Sequence, residues 1–444
     1  MNKLTYKELM FISLMLFSMF FGAGNLIFPA FLGRSAGMEM WVSLSGFIIT
    51  AVGLPILGVI TVGKVGSLNT LCSRVHPWFA LVFPILIYLS IGPGLAIPRA
   101  GTIAYEMGMS PFLPADLADK PMMLFLYTIL FFSIVLGLSL SPSKLVDRFG
   151  KLLTPILLTL IFIIFIKAVV TPIGSFKTPN ATYDKHSFFQ GFLDGYLTMD
   201  ALAALVFGIV VVNTIRSKGI TRSSFISKYM IVAGLGAGAL LASIYSILGY
   251  LGASSSTIGE AENGAQVLTI VMNALFGQMG TALLGLLFTL ACLCVSIGLV
   301  ISCSQFFSGI FSVLSYKAWT VVMTIASLGV ANLGLNQILA VSEPILGAIY
   351  PIAVVLIILG LLGNIARSVY LSTIVFTGLF SLTETINHIF LRDSLDELLA
   401  YIPLYQAGVG WILPALLGCM VGLVISVLYK PTTAQNLSYT KDIG

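Results

Sequence analysis

Long apolar runs fill most of the chain from residue 8 onward, and short polar clusters separate them. Runs of about 20 apolar residues have the length that an α-helix needs to cross a bilayer. The pattern therefore predicts an all-α polytopic membrane protein with about twelve transmembrane helices. The eighth run exceeds the length that a membrane requires, so we expect it to bend or to project from the bilayer. The predicted spans are 8–32, 40–63, 78–105, 121–140, 149–171, 188–214, 228–252, 277–312, 317–332, 337–363, 368–390 and 407–429.

The first span contains an interruption near its middle. Gly22, Ala23, Gly24 and Asn25 form a poor centre for a helix, and Pro29 follows one turn later. Unpaired backbone at membrane depth is tolerated only where protein buries it or where it lines a cavity. The end of the first half-helix suits a cation, whereas the start of the second half suits a carboxylate. A kink with small residues at a packing interface is the alternative interpretation.

The sixth span has a similar interruption between Leu193 and Ala201. Gly195 is available for a turn, and Thr198 or Asp200 can cap a helix that starts again. The first and sixth spans cross the membrane in opposite directions. Two breaks of this kind predict a 5+5 inverted repeat in which discontinuous helices 1 and 6 meet at the midplane, as described for one class of secondary transporter.

This repeat predicts how the chain is organised. We expect residues 1–444 to form a single transmembrane domain. The first half of the repeat covers about 8–172 and the second half about 188–363. Two additional helices then occupy about 368–430.

Charge determines the expected orientation. Charged residues make up only 9% of the chain, against about 25% in a soluble domain, and the mean hydropathy is +1.04. A cytoplasmic N-terminus places fifteen of the 22 basic residues in inside loops, which predicts that both termini are cytoplasmic and that the net charge of +5 does not indicate a nucleic-acid partner. Those fifteen are Lys3, Lys7, Lys64, Arg74, Lys144, Arg148, Lys151, Arg216, Lys218, Arg222, Lys228, Lys317, Arg367, Lys430 and Lys441.

The sequence offers little for an enzyme. Its three histidines and five cysteines have no metal-ligand spacing. We find no catalytic residues, no cofactor motif and no signal for an obligatory protein partner. A channel would call for a charged ring or a repeated filter motif, and neither occurs. A polytopic membrane enzyme therefore remains only a weaker alternative to a secondary transporter.

Four stretches resemble the branched-chain amino acid–cation symporter family. They are Phe21–Pro29, Gly195–Asp200 followed by Phe207–Val210, Ala291–Leu293 before Gly298–Leu299, and Ala331–Leu335 with Ala348–Pro351. The resemblance implies a leucine-transporter-like fold in a bacterial plasma membrane. It also implies uptake of leucine, isoleucine and valine by symport with sodium as the coupling ion. Another small neutral amino acid, or coupling to a proton, is the alternative within the same fold.

The resemblance further implies a substrate site at the two breaks. The N–H groups of Ala23 and Gly24, directly after Gly22, are expected to hold the substrate carboxylate without an arginine. Asn25 either caps the restarting helix or lends its amide oxygen to an ion. The residues expected to border the substrate at the second break are Tyr196, Leu197, Thr198 and Met199.

A sodium site is implied beside the first break. Carbonyl groups near Ser18 and Phe21 are expected to face the ion, together with the Ser296 hydroxyl and the Ala291 carbonyl. The eighth span departs here from relatives of the fold, in which neighbouring hydroxyl residues complete the sodium shell. Thiols stand between Ala291 and Ser296 in this chain, and a thiol is a poor ligand for a hard ion. A weaker sodium site, or a proton in its place, therefore stays open.

Charged residues inside the spans are candidates for function because their burial is costly. Arg99 and Glu343 fall in the predicted outer halves of spans three and ten, so a pair between them would form an extracellular gate. Asp194, beside the break in span six, is a competing partner for Arg99. Asp200 is either a functional carboxylate or a cap of the half-helix.

The charge pattern gives a direct test of topology. In a variant without the five native cysteines, we expect Lys218→Cys to be protected and Glu262→Cys to react when intact cells meet an impermeant maleimide. The loop at 215–227 is predicted to be cytoplasmic and the loop at 253–263 extracellular. Equal labelling of the two cysteines from outside would contradict both the orientation and the inverted repeat.

Overall fold

The computed structural model describes residues 4–118, 120–140, 144–220, 222–363 and 365–428. Within these ranges the chain forms helices and turns and contains no strand. Three of the basic residues used for the predicted orientation, Lys3, Lys430 and Lys441, lie outside them.

Twenty α-helices follow one another in the described ranges. They are α1 (Tyr6–Phe20), α2 (Ala23–Ala36), α3 (Met40–Ile48), α4 (Leu54–Val65), α5 (Leu68–Ser73), α6 (Pro77–Leu89), α7 (Ala96–Gly108), α8 (Ala115–Ala118), α9 (Pro121–Leu140), α10 (Lys144–Val170), α11 (Ala181–Asp184), α12 (Ser187–Asp194), α13 (Asp200–Ser217), α14 (Ser223–Ser254), α15 (Gly264–Ile310), α16 (Tyr316–Ala331), α17 (Leu335–Leu362), α18 (Arg367–Phe390), α19 (Asp396–Leu399) and α20 (Ile412–Leu428). Shorter 3₁₀ or π turns occupy Gly37–Glu39, Ile49–Gly53, Ser90–Gly94, Ser110–Phe112, Gly195–Thr198 and Tyr405–Ala407.

These helices confirm the predicted class, because each of the twelve apolar runs contains helix. Eight helical segments in the described ranges are long and apolar enough to cross a membrane. One of them, Ala23–Val65, joins the second half of the first span to the whole of the second. Three shorter apolar helices, Leu158–Val170, Tyr316–Ala331 and Ile412–Leu428, supply spans five, nine and twelve.

Both predicted interruptions are present. Helix α1 ends at Phe20, and Gly22 has an extended backbone (φ −113°, ψ −177°) before α2 begins at Ala23. In span six, α12 ends at Asp194 and a 3₁₀ turn leads to Met199, whose left-handed φ of 63° redirects the chain into α13. Spans one and six are therefore discontinuous.

Two further interruptions were not predicted. Span three loses helical geometry at Gly92 (φ −98°, ψ −127°), where Pro93 and Gly94 follow, and restarts at Ala96. The eighth span begins at Gly264, well before the predicted residue 277, and Gly277 (φ 64°, ψ −164°) bends it there. The expectation that this run bends is confirmed, whereas its predicted start was too late.

Close backbone contacts hold α2 in place. A Cβ added to Gly252 of α14 would fall on the carbonyl oxygen of Ala30, and a Cβ on Gly264 of α15 would fall on that of Ile27. Small residues allow helix backbones to approach this closely in membrane bundles. Helices α14 and α15 therefore position the start of α2, where the first break lies.

The two breaks lie at the junction of two buried apolar clusters. Phe20 and Ala23 belong to the cluster that includes α1, α2, α14 and α15. Tyr196 and Met199 belong to the cluster that includes α4, α13, α17 and α18. The additional helices α18 and α20 pack against each other, and α18 also packs against α17. The first and sixth spans thus join the two parts of the core.

The contact between α2 and α14 gives a stability prediction. Gly252→Ala should destabilise the protein by about 1–3 kcal/mol or more, because the new methyl group overlaps backbone that cannot move aside. Gly249→Ala, one turn away on the same helix, is the matched control, since its Cβ would meet the Met40 sulfur at an ordinary 3.4 Å. Thermal unfolding in detergent should separate the two variants, and equal midpoints would contradict the close contact.

Candidate functional site

Asn25 connects the two breaks through both ends of its amide. Its Nδ2 donates to Oδ2 of Asp200 at 2.5 Å and to Oη of Tyr245 at 2.6 Å. Its Oδ1 accepts the N–H of Gly22 at 3.2 Å. The side chain is 2% exposed, so these bonds form away from solvent. Asn25 therefore satisfies the backbone at the restarting helix, one of its two predicted roles, and reaches the second break as well.

Asp200 is not the cap that one interpretation of the sequence expected. It lies in the first turn of α13, but its carboxylate accepts hydrogen bonds from Asn25 and, at 3.4 Å, from Tyr245. Thr198 is closer to the capping role, because its hydroxyl accepts the N–H of Asp200 at 3.4 Å and donates to the carbonyl of Gly195 at 2.9 Å. Asp200 is thus a buried carboxylate in a side-chain network between spans one, six and seven.

The first turn of α2 has the features of an anion site. Ala23 and Gly24 are buried, and the Asn25 side chain at the start of this helix accepts the N–H of Gly22 rather than theirs. Free N–H groups and the positive end of the helix dipole favour a negative group at such a position. A Cβ on Gly24 would lie 2.7 Å from Nη2 of Arg99 and 3.1 Å from the Phe28 ring, so glycine here leaves room for the guanidinium to approach the first turn of α2.

Arg99 does not form the predicted gate with Glu343. Nη1 of the guanidinium donates to the Leu197 carbonyl at 2.6 Å, and Cζ of Arg99 lies 5.0 Å from the centre of the Phe28 ring. The ion pairs within the described ranges are Lys218–Glu8 and His388–Asp393, so neither Glu343 nor Asp194 pairs with Arg99. Arg99 therefore lies between the two breaks, with Leu197 of span six and Phe28 of span one as its contacts.

The carboxylate of Asp194 is held locally instead. It accepts from Oη of Tyr183 at 2.5 Å and from Nε2 of Gln190, one turn earlier in α12, at 2.9 Å. Asp194 and Glu343 line one wide cavity of about 750 Å³ that extends to Tyr196 and Leu197 at the second break. The two acids therefore line a common cavity and form no ion pair with Arg99.

The second break presents mostly apolar surface. The Tyr196 ring stacks on Tyr350 with their centres 4.3 Å apart, and its hydroxyl finds no hydrogen-bond partner within the described residues. Met199 is 2% exposed, whereas Leu197 is half-buried and lines the cavity. Tyr196 and Leu197 thus give one wall that a small apolar side chain can contact.

The predicted cation residues differ in what they offer. Phe21 ends α1 with a non-helical ψ of 88°, so carbonyls of that last turn lack helical partners. The Ser18 side chain is exposed, and its contribution is limited to its carbonyl. Ser296 is completely buried, and its hydroxyl makes no hydrogen bond within the described residues. Ala291 lies in the same helix, α15, where its carbonyl belongs to the helical ladder.

Two tyrosines of the site were not predicted. Tyr245 of α14 bonds to Asn25 and Asp200, and Tyr350 of α17 accepts the N–H of Ala201 at 3.4 Å. Both side chains are fully buried. A tyrosine in the middle of a membrane helix is itself a signal, because its hydroxyl needs a partner there.

Comparison with known proteins identifies relatives of this chain. A family model described as "Branched-chain amino acid transport protein" matches residues 5–429. The branched-chain amino acid permease BraB of Bacillus subtilis is 45% identical over 98% of this chain and 99% of its own length. A branched-chain amino acid transport system 2 carrier protein of Pseudomonas aeruginosa is 38% identical over 98% of this chain and all of its own length. These relatives are named as permeases and carriers, not as enzymes.

Solved structures agree on the fold. An inward-facing structure of the transporter Mhp1 matches with a TM-score of 0.61 at 11% identity, covering 95% of this chain and 91% of its own. MhsT in complex with L-phenylalanine matches with a TM-score of 0.56 at 16% identity, covering 96% of this chain and 99% of its own. The predicted leucine-transporter-like fold is therefore confirmed. Together with the family match along nearly its full length, this means that the chain belongs to the branched-chain amino acid transport protein family.

Proposed function

We propose that the protein takes up leucine, isoleucine and valine across the plasma membrane by sodium-coupled symport with alternating access. The observation that carries the proposal is the junction of two interrupted helices at Asn25 and Asp200. Discontinuous helices that meet in this way form substrate and ion sites in transporters with inverted repeats. The names of the relatives supply the substrate class.

Each part of the substrate has a matching surface. The carboxylate meets the N–H groups of Ala23 and Gly24 at the start of α2. The apolar side chain contacts the Leu197 side chain and the stacked ring of Tyr196.

Sodium is proposed to bind at the end of α1. Carbonyls near Ser18 and Phe21 provide hard oxygen ligands at the negative end of the helix dipole. The buried Ser296 hydroxyl, which lacks a partner within the described residues, supplies a further oxygen. The Ala291 carbonyl remains a proposed ligand.

A proton is the second candidate for the coupling ion, and Asp200 favours it. This buried carboxylate lies in the network between the two breaks, and it can take up or release a proton there. Proton relays in transporters commonly use such intramembrane acids.

Uptake into proteoliposomes tests the function. An inward sodium gradient should drive accumulation of labelled leucine, and unlabelled isoleucine and valine should compete with it. Accumulation driven by a proton gradient in sodium-free buffer would show that the coupling ion is a proton and not sodium. Absence of leucine uptake or exchange under every gradient, with alanine transported instead, would overturn the substrate assignment.

Ser296→Ala tests the sodium site. We expect the sodium concentration for half-maximal uptake to rise about tenfold, because the loss of one oxygen ligand costs about 1–2 kcal/mol. The order of preference among substrates should stay the same. Ser304→Ala is the matched control, since Ser304 lies on the same helix and is also fully buried with an unpartnered hydroxyl among the described residues. Equal sodium dependence of the two variants would remove Ser296 from the site.

Gly24→Val tests the anion site at the first break. The added side chain would meet Arg99 and Phe28 and would close the space before the N–H groups of α2. Loss of two charge-assisted hydrogen bonds should weaken leucine binding by about a hundredfold or more. Gly137→Val is the control, because a Cβ there meets nothing within 4 Å. A monodisperse Gly24→Val protein that binds leucine normally would reduce the break to a packing feature.

A further inference from the structure

Arg99 brings a positive charge to the place where the two breaks meet. It lies in the first turn of α7, just after span three loses helical geometry at Gly92. Nη1 of Arg99 donates to the Leu197 carbonyl at the second break, at 2.6 Å. Nη2 faces the first break so closely that a Cβ on Gly24 would lie 2.7 Å from it. One guanidinium therefore contacts both interrupted helices.

This charge has no ion-pair partner within the described residues. Arg99 is 4% exposed, and the two ion pairs of the described ranges, Lys218–Glu8 and His388–Asp393, do not include it. A guanidinium carries five N–H donors, and a single side-chain hydrogen bond, to Leu197, is formed here. Buried charges in proteins are paired, because an uncompensated one is strongly destabilising. The surroundings of Arg99 thus favour the arrival of an anion.

The carboxylate of Asp200 lies near Arg99 but is hydrogen-bonded to other side chains. Asp200 is close enough to Arg99 to interact with it electrostatically, but its hydrogen bonds come from Asn25 and Tyr245. The Tyr350 hydroxyl and the Cys292 thiol also lie near the guanidinium. Neither offers the two parallel acceptors that the fork of an arginine matches best.

We propose that Arg99 binds the carboxylate of the transported amino acid, together with the N–H groups at the start of α2. This inference rests on the proposed function, because it names the residue that selects for the carboxylate in that same site. A guanidinium and a helix N-terminus both favour an anion, and the planar fork holds a carboxylate through two parallel bonds. The carboxyl group of Asp200 lies close by and can accept a hydrogen bond from the ammonium group of the same zwitterion.

The test compares two ligands that differ only at the carboxylate. Leucinol keeps the side chain and ammonium group of leucine but carries a hydroxymethyl group in place of the carboxylate. Dissociation constants of both are measured on purified protein in nanodiscs, for the wild type, Arg99→Gln and Arg99→Lys. We expect Arg99→Gln to weaken leucine binding about a hundredfold and leucinol binding less than about threefold. The leucine affinity of Arg99→Lys should fall between those of the wild type and Arg99→Gln, because lysine keeps the positive charge but lacks the planar fork of donors.

Two control variants separate this role from a structural one. Arg74→Gln removes another partly buried guanidinium, which donates to the Gly363 carbonyl at 3.2 Å and to Tyr370 Oη at 3.1 Å. Its ratio of leucine to leucinol affinity should equal that of the wild type. Asp200→Asn removes the neighbouring negative charge, so that ratio should stay the same or rise.

An unchanged ratio in Arg99→Gln and Arg99→Lys would overturn the proposal, as would equal weakening of both ligands. A collapse of the ratio in Asp200→Asn would also overturn it, because the two charges would then act as one structural unit. Arg99→Lys decides the question on the same ratio if Arg99→Gln is not monodisperse. Failure of the wild type to bind leucine would contradict the proposed function instead, so the two failures are distinguishable.

Discussion

The amide of Asn25 is the interaction on which the arrangement of the two interrupted helices depends. A broken helix leaves backbone groups unpaired at membrane depth, and such groups must be satisfied by protein. Asn25 satisfies Gly22 on its own helix and binds Asp200 and Tyr245 on two others. It can do so only because close backbone contacts fix α2 against α14 and α15. Packing of small residues and one buried amide therefore cooperate to align the breaks.

How far the sequence predicts this structure depends on whether a signal is local. The breaks at Gly22 and Gly195 were predictable because glycine and polar residues interrupt an apolar run there. The run Gly92-Pro93-Gly94 carries an equally strong local signal for the break in span three, and it was missed. Gly277 gives no such signal, since a lone glycine in a membrane helix is common.

Side-chain partners were less predictable than breaks. The similar predicted depth of Arg99 and Glu343 in the membrane suggested that they meet. Depth alone, however, does not determine towards which neighbouring helix a side chain points. In the structure, α7 restarts after the break at Gly92, and its Arg99 bonds to the Leu197 carbonyl instead. Contacts within one helix are easier to predict from the sequence, as the hydrogen bond between Gln190 and Asp194 at positions i and i+4 shows. The candidate site could thus be located from the sequence, while its charged contacts required the packed structure.

The network around Asn25 also explains why two opposite buried charges stay apart. An ion pair in contact between Arg99 and Asp200 would satisfy both groups and leave no charge for a ligand. The donors of Asn25 and Tyr245 compete for the Asp200 carboxylate, and the Leu197 carbonyl engages the guanidinium. Such separation costs stability, as is common where a site is organised for binding. In the proposed binding mode the zwitterion lies between Arg99 and Asp200 and offsets this cost, which would link substrate binding to the closeness of the two breaks.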